Sequence, residues 1–148
     1  SMVAGNALAS VVDLTRFPGT VIDVQILILQ ANASTRCAGI NAAIMALAHA
    51  GVVMKELVSS VSIGKIDDKI VVDVNKDEED YHEGEGSTDV PFTLTSRNKN
   101  IVHLQLDGKM QLARFKEAYD AAKKACDKIL KYQERALKGE KIDEGGKK

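Results

Sequence analysis

The alternation of apolar and polar positions predicts a strand between residues 20 and 30. β-Branched side chains recur there at every second position: Ile22, Val24, Ile26 and Ile28. A period of two is that of a strand, and β-branched residues favour this conformation. Because Leu27 and Leu29 also make the opposite face partly apolar, we expect this strand to lie in the middle of a sheet.

A spacing of three and four residues replaces this alternation in the following segment. The apolar positions with that spacing are Ile40, Ala43, Ile44 and Leu47. They predict a helix over residues 35–50, with alanines between them that allow close packing. Ser34 or Thr35 can cap the start of this helix, and Gly51 stands where a C-terminal cap belongs.

Two hairpins and a long helix are predicted in the rest of the chain. The expected elements are strands at 57–66, 70–74, 90–95 and 101–106, a polar loop at 76–88 and a helix at about 111–138. The polar residues 139–148 are expected to form a disordered tail. Strands covered by two main helices indicate an α+β, or mixed α/β, sandwich.

Composition narrows the class of protein without naming a function. The chain has 148 residues, 45% apolar content and a net charge of -1, which are the values of one ordinary globular domain. The charge gives no global signal for nucleic acid, so any RNA contact must be local. No apolar run reaches membrane-spanning length. Cys37 and Cys126 are expected to be buried, reduced thiols of an intracellular protein.

The junction between the predicted strand and the predicted helix carries candidate anion ligands. Ser34, Thr35 and Arg36 stand where the first N–H groups of the helix have no partner within it. The positive end of the helix dipole, a hydroxyl donor and a forked guanidinium together suit a phosphate group. An ordinary helix cap followed by a surface arginine is the plainer interpretation, and the local sequence leaves both open.

An acidic segment downstream carries candidate metal ligands. Its carboxylates are Asp77, Glu78, Glu79, Asp80, Glu83, Glu85 and Asp89. Most of them are typical of a solvated, charged loop. Asp89 differs because it directly precedes the apolar Val90, where rigid strand backbone can aim its side chain. Hard carboxylate oxygens at such a position suit Mg²⁺ or Mn²⁺.

Taken together, several segments resemble the RNase PH family, most of all its catalytic-type ring subunits of the RNA exosome. The resemblance extends from about Phe17 to Leu137. The segments that carry it are Thr20–Val24, Leu29–Arg36, Ile40–Ala43, Ala46–Met54, Val61–Lys65, Val72–Asn75, Glu79-Asp80, Thr88–Pro91 and Leu104–Met110. It implies a mixed sheet packed with helices. Residues 3–138 would be the C-terminal portion of such a domain, with the N-terminal part missing.

The resemblance also implies roles for particular residues. Ser34, Thr35 and Arg36 match the motif with which the family binds the attacking phosphate, so inorganic phosphate would be the co-substrate. Asp89 and Asp80 match acidic residues that lie near the phosphate and the metal ion, expected to be Mg²⁺ or Mn²⁺. The chain departs from the family by having Ser34 where a glycine is usual, and by a longer interval between the two aspartates.

Two functions follow from this resemblance as expectations. The first is a 3′→5′ exoribonuclease subunit of an exosome-like ring, which would degrade RNA by phosphorolysis to nucleoside diphosphates. The alternative is a catalytically inactive ring subunit that scaffolds the ring and guides RNA. Either way, the expected partners are RNA and other RNase PH-like ring subunits. No membrane is expected, an oligomer is expected, and the location would be the cytoplasm and nucleus in a eukaryote.

Overall fold

The computed structural model describes residues 2–141 and confirms an α+β fold. Its elements are α1 (Met2–Ala9), a 3-10 turn (Leu14–Arg16), α2 (Thr35–His49), β1 (Val58–Ile66), β2 (Lys69–Val72), α3 (Lys76–Glu79), β3 (Ser87–Thr95), β4 (Ile101–Leu104) and α4 (Leu112–Leu137). The two predicted hairpins and the two predicted long helices are therefore present. The helices α1 and α3 were not expected.

The four strands form one sheet in the order β2-β1-β3-β4, and each neighbouring pair is antiparallel. This corrects the expectation of a mixed sheet for the residues that the structure describes. Short turns join β1 to β2 and β3 to β4, and such turns can connect only antiparallel neighbours, because parallel ones need a crossover of about a dozen residues or more. In the central pair Gly64 of β1 lies opposite Asp89 of β3.

Helices pack against the sheet from different sides. One buried cluster joins β1, β3 and α4, and its members are Val61, Ile63, Val90, Phe92, Leu94, Ala118, Ala122 and Cys126. A second cluster joins α1 and α2 to the start of β1, around Ile40, Ile44 and Val58. Since strand side chains alternate between the two faces, the other face of β1 and β3 carries Ser62 and Asp89.

A side-chain amide attaches α2 to the backbone of β1. β2 pairs with residues 63–66 of β1 only, so Ser60 has no strand on that side. The Nδ2 of Asn41 donates to the carbonyl of Ser60, and the N–H of Ser60 donates to the Oδ1 of Asn41, both at 2.8 Å. Asn41 thus takes the place of a missing strand partner. Buried backbone groups need such partners, and this pair fixes how α2 lies on the sheet.

The strand predicted over residues 20–30 is wrong. This segment is irregular, and Leu27 and Leu29 are 81% and 89% exposed. A strand needs a neighbour to pair with its N–H and C=O groups, and none of the described strands pairs with this segment. Its inner side chains still contact the protein, since a Cβ added at Gly39 of α2 would lie 3.2 Å from the Cγ2 of Ile26.

The structure describes only the first part of the predicted tail. Residues 142–148 of the predicted tail lie outside the described residues. The preceding part contacts α4, where Glu140 accepts from the Nε of Arg135 at 3.2 Å. Within residues 2–141, no helix has both the length and the apolar character needed to cross a bilayer.

Phe92 should be a main source of stability, because it is fully buried and its ring lies 5.7 Å from Phe115 and 5.9 Å from Tyr119. Phe92→Ala is expected to lower the free energy of unfolding by about 3–5 kcal/mol. Leu29→Ala, at an exposed site, should change it by less than about 0.5 kcal/mol. Urea unfolding measures both, and equal losses in the two variants would contradict this packing.

Candidate functional site

The start of α2 is open, as an anion site requires. Ser34 is the N-cap residue, but its side chain makes no capping hydrogen bond. Its Oγ donates instead to the carbonyl of Val74 at 2.9 Å. Ser34 therefore occupies the predicted N-cap position without the expected side-chain capping bond, because its hydroxyl is bonded to the segment after β2. The first N–H groups of α2 keep their capacity to bind a ligand.

The backbone before α2 adopts a conformation that side chains disfavour. Ala33 and Ser34 both have positive φ angles, of 56° and 50°. A residue with a Cβ pays about 1–2 kcal/mol in this region. Two neighbouring contacts hold it there: Ser34 bonds to Val74, and the Oδ1 of Asn32 accepts from the N–H of Lys76 at 3.1 Å. The candidate phosphate segment is thus attached directly to the start of α3.

Arg36 lies one residue inside α2 and reaches across to the sheet. Its Nη1 donates to the Oε1 of Gln105, just after β4. The backbone of Gln105 is itself fixed, since its N–H donates to the carbonyl of Pro91 in β3 at 3.3 Å. No carboxylate of the described residues forms an ion pair with Arg36. The guanidinium is therefore oriented by a neutral group.

Asp89 lies half-buried on the sheet face that α2 covers. Its Oδ1 accepts from the Oγ of Ser62, and its backbone exchanges two hydrogen bonds with Asp107, of 3.0 and 2.9 Å. Burial raises the pKa of Asp89, and the charges of Glu79 and Asp107 raise it further. Ser62 and the positive charge of Arg36 lower that pKa. The hydrogen-bond partner of Arg36, Gln105, lies two residues from Asp107, which is the backbone partner of Asp89.

Asp80 has a different environment from Asp89. Its side chain is 56% exposed and forms an ion pair with Lys76 at 2.7 Å. The acidic neighbours whose charges act on Asp89 are Glu79 and Asp107. The backbone carbonyl of Glu79 accepts from the Oγ of Ser87 at 2.5 Å, which fixes the end of α3 beside β3. Sequence reasoning did not single out Glu79, since nothing in a run of carboxylates distinguishes one from the next.

The residues between α3 and Asp89 form an anchored loop rather than a free one. Asp67, in the turn between β1 and β2, accepts from the Oη of Tyr81 and from the N–H of Glu85, both at 3.0 Å. The buried Lys65 forms an ion pair with Glu85 at 2.6 Å. Gly84 packs so closely there that an added Cβ would lie 2.3 Å from the Oδ1 of Asp67. We refer to residues 80–86 as the anchored loop.

A metal ion does not fit the described residues as a closed protein site. No group of three or more His, Cys, Asp or Glu side chains is arranged to hold one within residues 2–141. Asp80 is engaged by Lys76, and Asp89 accepts from Ser62. Mg²⁺ often takes only one or two carboxylates together with substrate phosphates. The chain by itself supplies at most that smaller set.

Two further titratable groups lie close to the site. Cys37, on the first turn of α2, is buried, and burial raises its pKa to about 11, so the thiol stays protonated and unreactive. His103 lies opposite Thr93 on the strand that leads to Gln105. Burial and the nearby charge of Arg36 lower the pKa of His103, and its Nε2 has no hydrogen-bond partner among the described residues.

Comparison with known protein families shows to which family this chain belongs. Residues 1–53 match domain 1 of the 3′ exoribonuclease family, RNase PH, and residues 56–125 match domain 2 of the same family. The chain belongs to the RNase PH family. The first match ends after α2 and the second covers the whole sheet, so the candidate site of this RNase PH chain combines residues from both matched parts.

Curated relatives support the same conclusion. The exosome complex component Rrp41 of Methanopyrus kandleri is 41% identical over 93% of this chain and 56% of its own length. The Rrp41 component of Thermococcus gammatolerans is 45% identical over 93% of this chain and 54% of its own length. The chain thus spans about half the length of the curated relatives it matches.

A solved structure supports the fold. The crystal structure of rice (Oryza sativa) Rrp46 superposes with a TM-score of 0.79, covering 93% of this chain and 64% of that one. Sequence identity is 21%, so this likeness concerns the RNase PH fold alone.

Asp89→Asn should stabilise this RNase PH chain near neutral pH. Because the pKa of Asp89 is raised in the folded state, stability is present below the unfolded pKa and is lost as pH rises through the folded one. An amide removes that loss while it can still accept from Ser62. The free energy of unfolding in urea, measured from pH 3 to pH 7, should favour the variant increasingly as the pH rises above the ordinary value of 3.8. A variant less stable at every pH would contradict this.

Proposed function

We propose that this chain carries the phosphate-binding and proton-donating site of a phosphorolytic 3′→5′ exoribonuclease, a subunit of an exosome-like ring. The observation that carries the proposal is a chain of contacts: Arg36 donates to Gln105, and two residues further along the chain Asp107 pairs with the half-buried Asp89. Membership of the RNase PH family and likeness to Rrp41 components support it. Because those relatives are longer, the activity is proposed for the protein within its assembled ring.

The proposed reaction exchanges one phosphate ester bond for another. An oxygen of inorganic phosphate attacks the phosphorus of the last internucleotide linkage at the 3′ end of RNA. The bond from that phosphorus to the 3′ oxygen of the preceding nucleotide breaks. The terminal nucleotide leaves as a nucleoside diphosphate, and the freed 3′ oxygen takes up a proton. Two anions must approach each other, so charge compensation is the main task of the site.

The start of α2 would bind the attacking phosphate. Its unpaired N–H groups and the positive end of its dipole attract an anion, and the hydroxyl of Thr35 adds a donor. Arg36 can supply a bidentate contact with N–H groups other than the one held by Gln105. Ser34 would contribute through its backbone, because its hydroxyl is bonded to Val74.

Asp89 would serve the departing oxygen. A carboxyl group whose pKa is raised holds a proton more readily, and a proton donor is what the freed 3′ oxygen requires. Glu79 and Asp107 favour the protonated form of Asp89 by their negative charge. Lys76 forms ion pairs with both Glu79 and Asp80, at 3.3 and 2.7 Å, so that pairing does not separate them. We assign the acidic support of Asp89 to Glu79 first, because Glu79 is the one whose charge acts on Asp89. In its ionised form Asp89 could instead hold Mg²⁺ or Mn²⁺ together with the substrate phosphates, and the ion would then compensate the charge of the departing oxygen.

One observation favours the alternative of an inactive ring subunit. Ser34 places a Cβ atom at a positive φ angle where the family usually has a glycine, and its hydroxyl is already engaged. Such a site can retain phosphate without catalysing its attack. Binding of phosphate without release of nucleoside diphosphates by the ring would favour this alternative.

Removal of either charged group should abolish most phosphorolysis by the assembled ring. Arg36→Ala is expected to lower the rate roughly 100- to 1000-fold, because a preorganised charge contact is lost. Asp89→Asn should lower it roughly 100- to 10000-fold, because the proton donor is lost. Phosphate-dependent release of nucleoside diphosphates from RNA measures both.

Arg97→Ala is the matched control for Arg36→Ala. It removes the same charge from the turn between β3 and β4, two residues beyond the end of β3 at Thr95. Asp89 lies six residues before that end, which at about 3.3 Å per residue is roughly 20 Å. Activity near that of the unaltered ring is expected. Equal loss in the two arginine variants would mean that net charge alone matters.

The 148-residue chain alone should self-associate and show little phosphorolysis. Its exposed apolar side chains at Val21, Leu27 and Leu29 need a covering partner, which other ring subunits would provide. The double change Leu27→Ser with Leu29→Ser should reduce association without loss of fold. Light scattering at high concentration measures this, and a strictly monomeric unaltered chain would contradict it.

A further inference from the structure

Arg36 makes an unexpected choice of partner. Its partner Gln105 lies two residues from Asp107, which pairs with Asp89, and the negative charges of Glu79 and Asp107 both act on Asp89. A guanidinium beside carboxylates ordinarily forms an ion pair with one of them. Arg36 instead donates to the neutral amide of Gln105, and no ion pair of Arg36 occurs within residues 2–141.

The backbone around Gln105 is fixed by hydrogen bonds to β3, so Gln105 can orient the side chain of Arg36. Its N–H donates to the carbonyl of Pro91, and two residues further Asp107 exchanges two backbone hydrogen bonds with Asp89. Because residues two apart on a strand share a face, the side chains of Gln105 and Asp107 lie on the same side of the sheet as Asp89. The acceptor of Arg36 is therefore carried by the same backbone pairing that fixes Asp89.

We infer that Gln105 is a positioning residue for phosphate. It orients the guanidinium of Arg36 over the start of α2 through an uncharged acceptor, and so leaves the positive charge uncompensated for an incoming anion. This rests on the proposed function of the site and deepens it. A carboxylate at this position would hold Arg36 equally well but would neutralise the charge that phosphate needs.

The comparison of Gln105→Glu with Gln105→Met separates positioning from packing. Glutamate has the shape of glutamine and keeps an acceptor for Arg36, so the fold should stay as stable as before or become more stable. Methionine has a similar length but no strong acceptor, so Arg36 would be released. If Gln105 served stability alone, the glutamate variant would behave like the unaltered chain in every measurement.

Titration calorimetry of the chain with inorganic phosphate provides the first measurement. We expect Gln105→Glu to weaken phosphate binding roughly tenfold to a hundredfold, the range for loss of one charge-assisted contact. Gln105→Met should weaken it several-fold, because Arg36 is no longer held. Urea unfolding of each variant accompanies the titration and checks that the fold is intact.

The assembled ring provides the second measurement. In Gln105→Glu the KM for phosphate should rise by a similar factor, while kcat at saturating phosphate changes little. Unchanged phosphate affinity and KM in a folded Gln105→Glu variant would overturn the inference alone. If the unaltered chain and ring bind no phosphate, and Arg36→Ala changes nothing, the proposed function itself is overturned and this inference with it.

Discussion

The contact between Asn41 and Ser60 is the constraint on which the rest of the arrangement depends. It joins a helix side chain to strand backbone where no further strand pairs, and two hydrogen bonds of 2.8 Å leave little freedom in how α2 lies. Asn41 lies less than two helical turns from the N-terminus of α2. The position of Asn41 therefore fixes the backbone of Arg36, and with it the distance that the Arg36 side chain spans to the sheet face carrying Asp89.

The charged groups of the site are held by neutral partners. Arg36 donates to Gln105, and Asp89 accepts from Ser62. A direct ion pair would hold the two side chains to each other. Orientation by an amide and a hydroxyl instead fixes the direction of each side chain without such a pair. Sites that stabilise developing charge depend on this kind of preorganisation, since nothing then has to be rearranged during the reaction.

Much of the fold could be predicted from the sequence, because its helices and hairpins are set by local periodicity. The irregular conformation of residues 20–30 could not be predicted. Its alternation indicates a preference for strand structure, but whether a neighbouring strand is there to pair with it depends on the whole fold. The joint position of Arg36 and Asp89 was suggested by resemblance. The roles of Glu79 and Gln105 could not be predicted for a different reason. Each depends on which residue lies next to it in the fold, and neither periodicity nor composition gives that information.

The way in which the anchored loop is held affects which sequence changes this surface can tolerate in evolution. It is held by Asp67 in the turn between β1 and β2 and by Lys65 in β1, and both its ends are fixed by regular structure. Between those anchors, His82 and Glu83 are exposed. Insertions or deletions at that tip would be absorbed locally and would not be transmitted to the strand that follows. The length and charge of the anchored loop can therefore vary during evolution independently of the candidate site, which lies a few residues further along the chain.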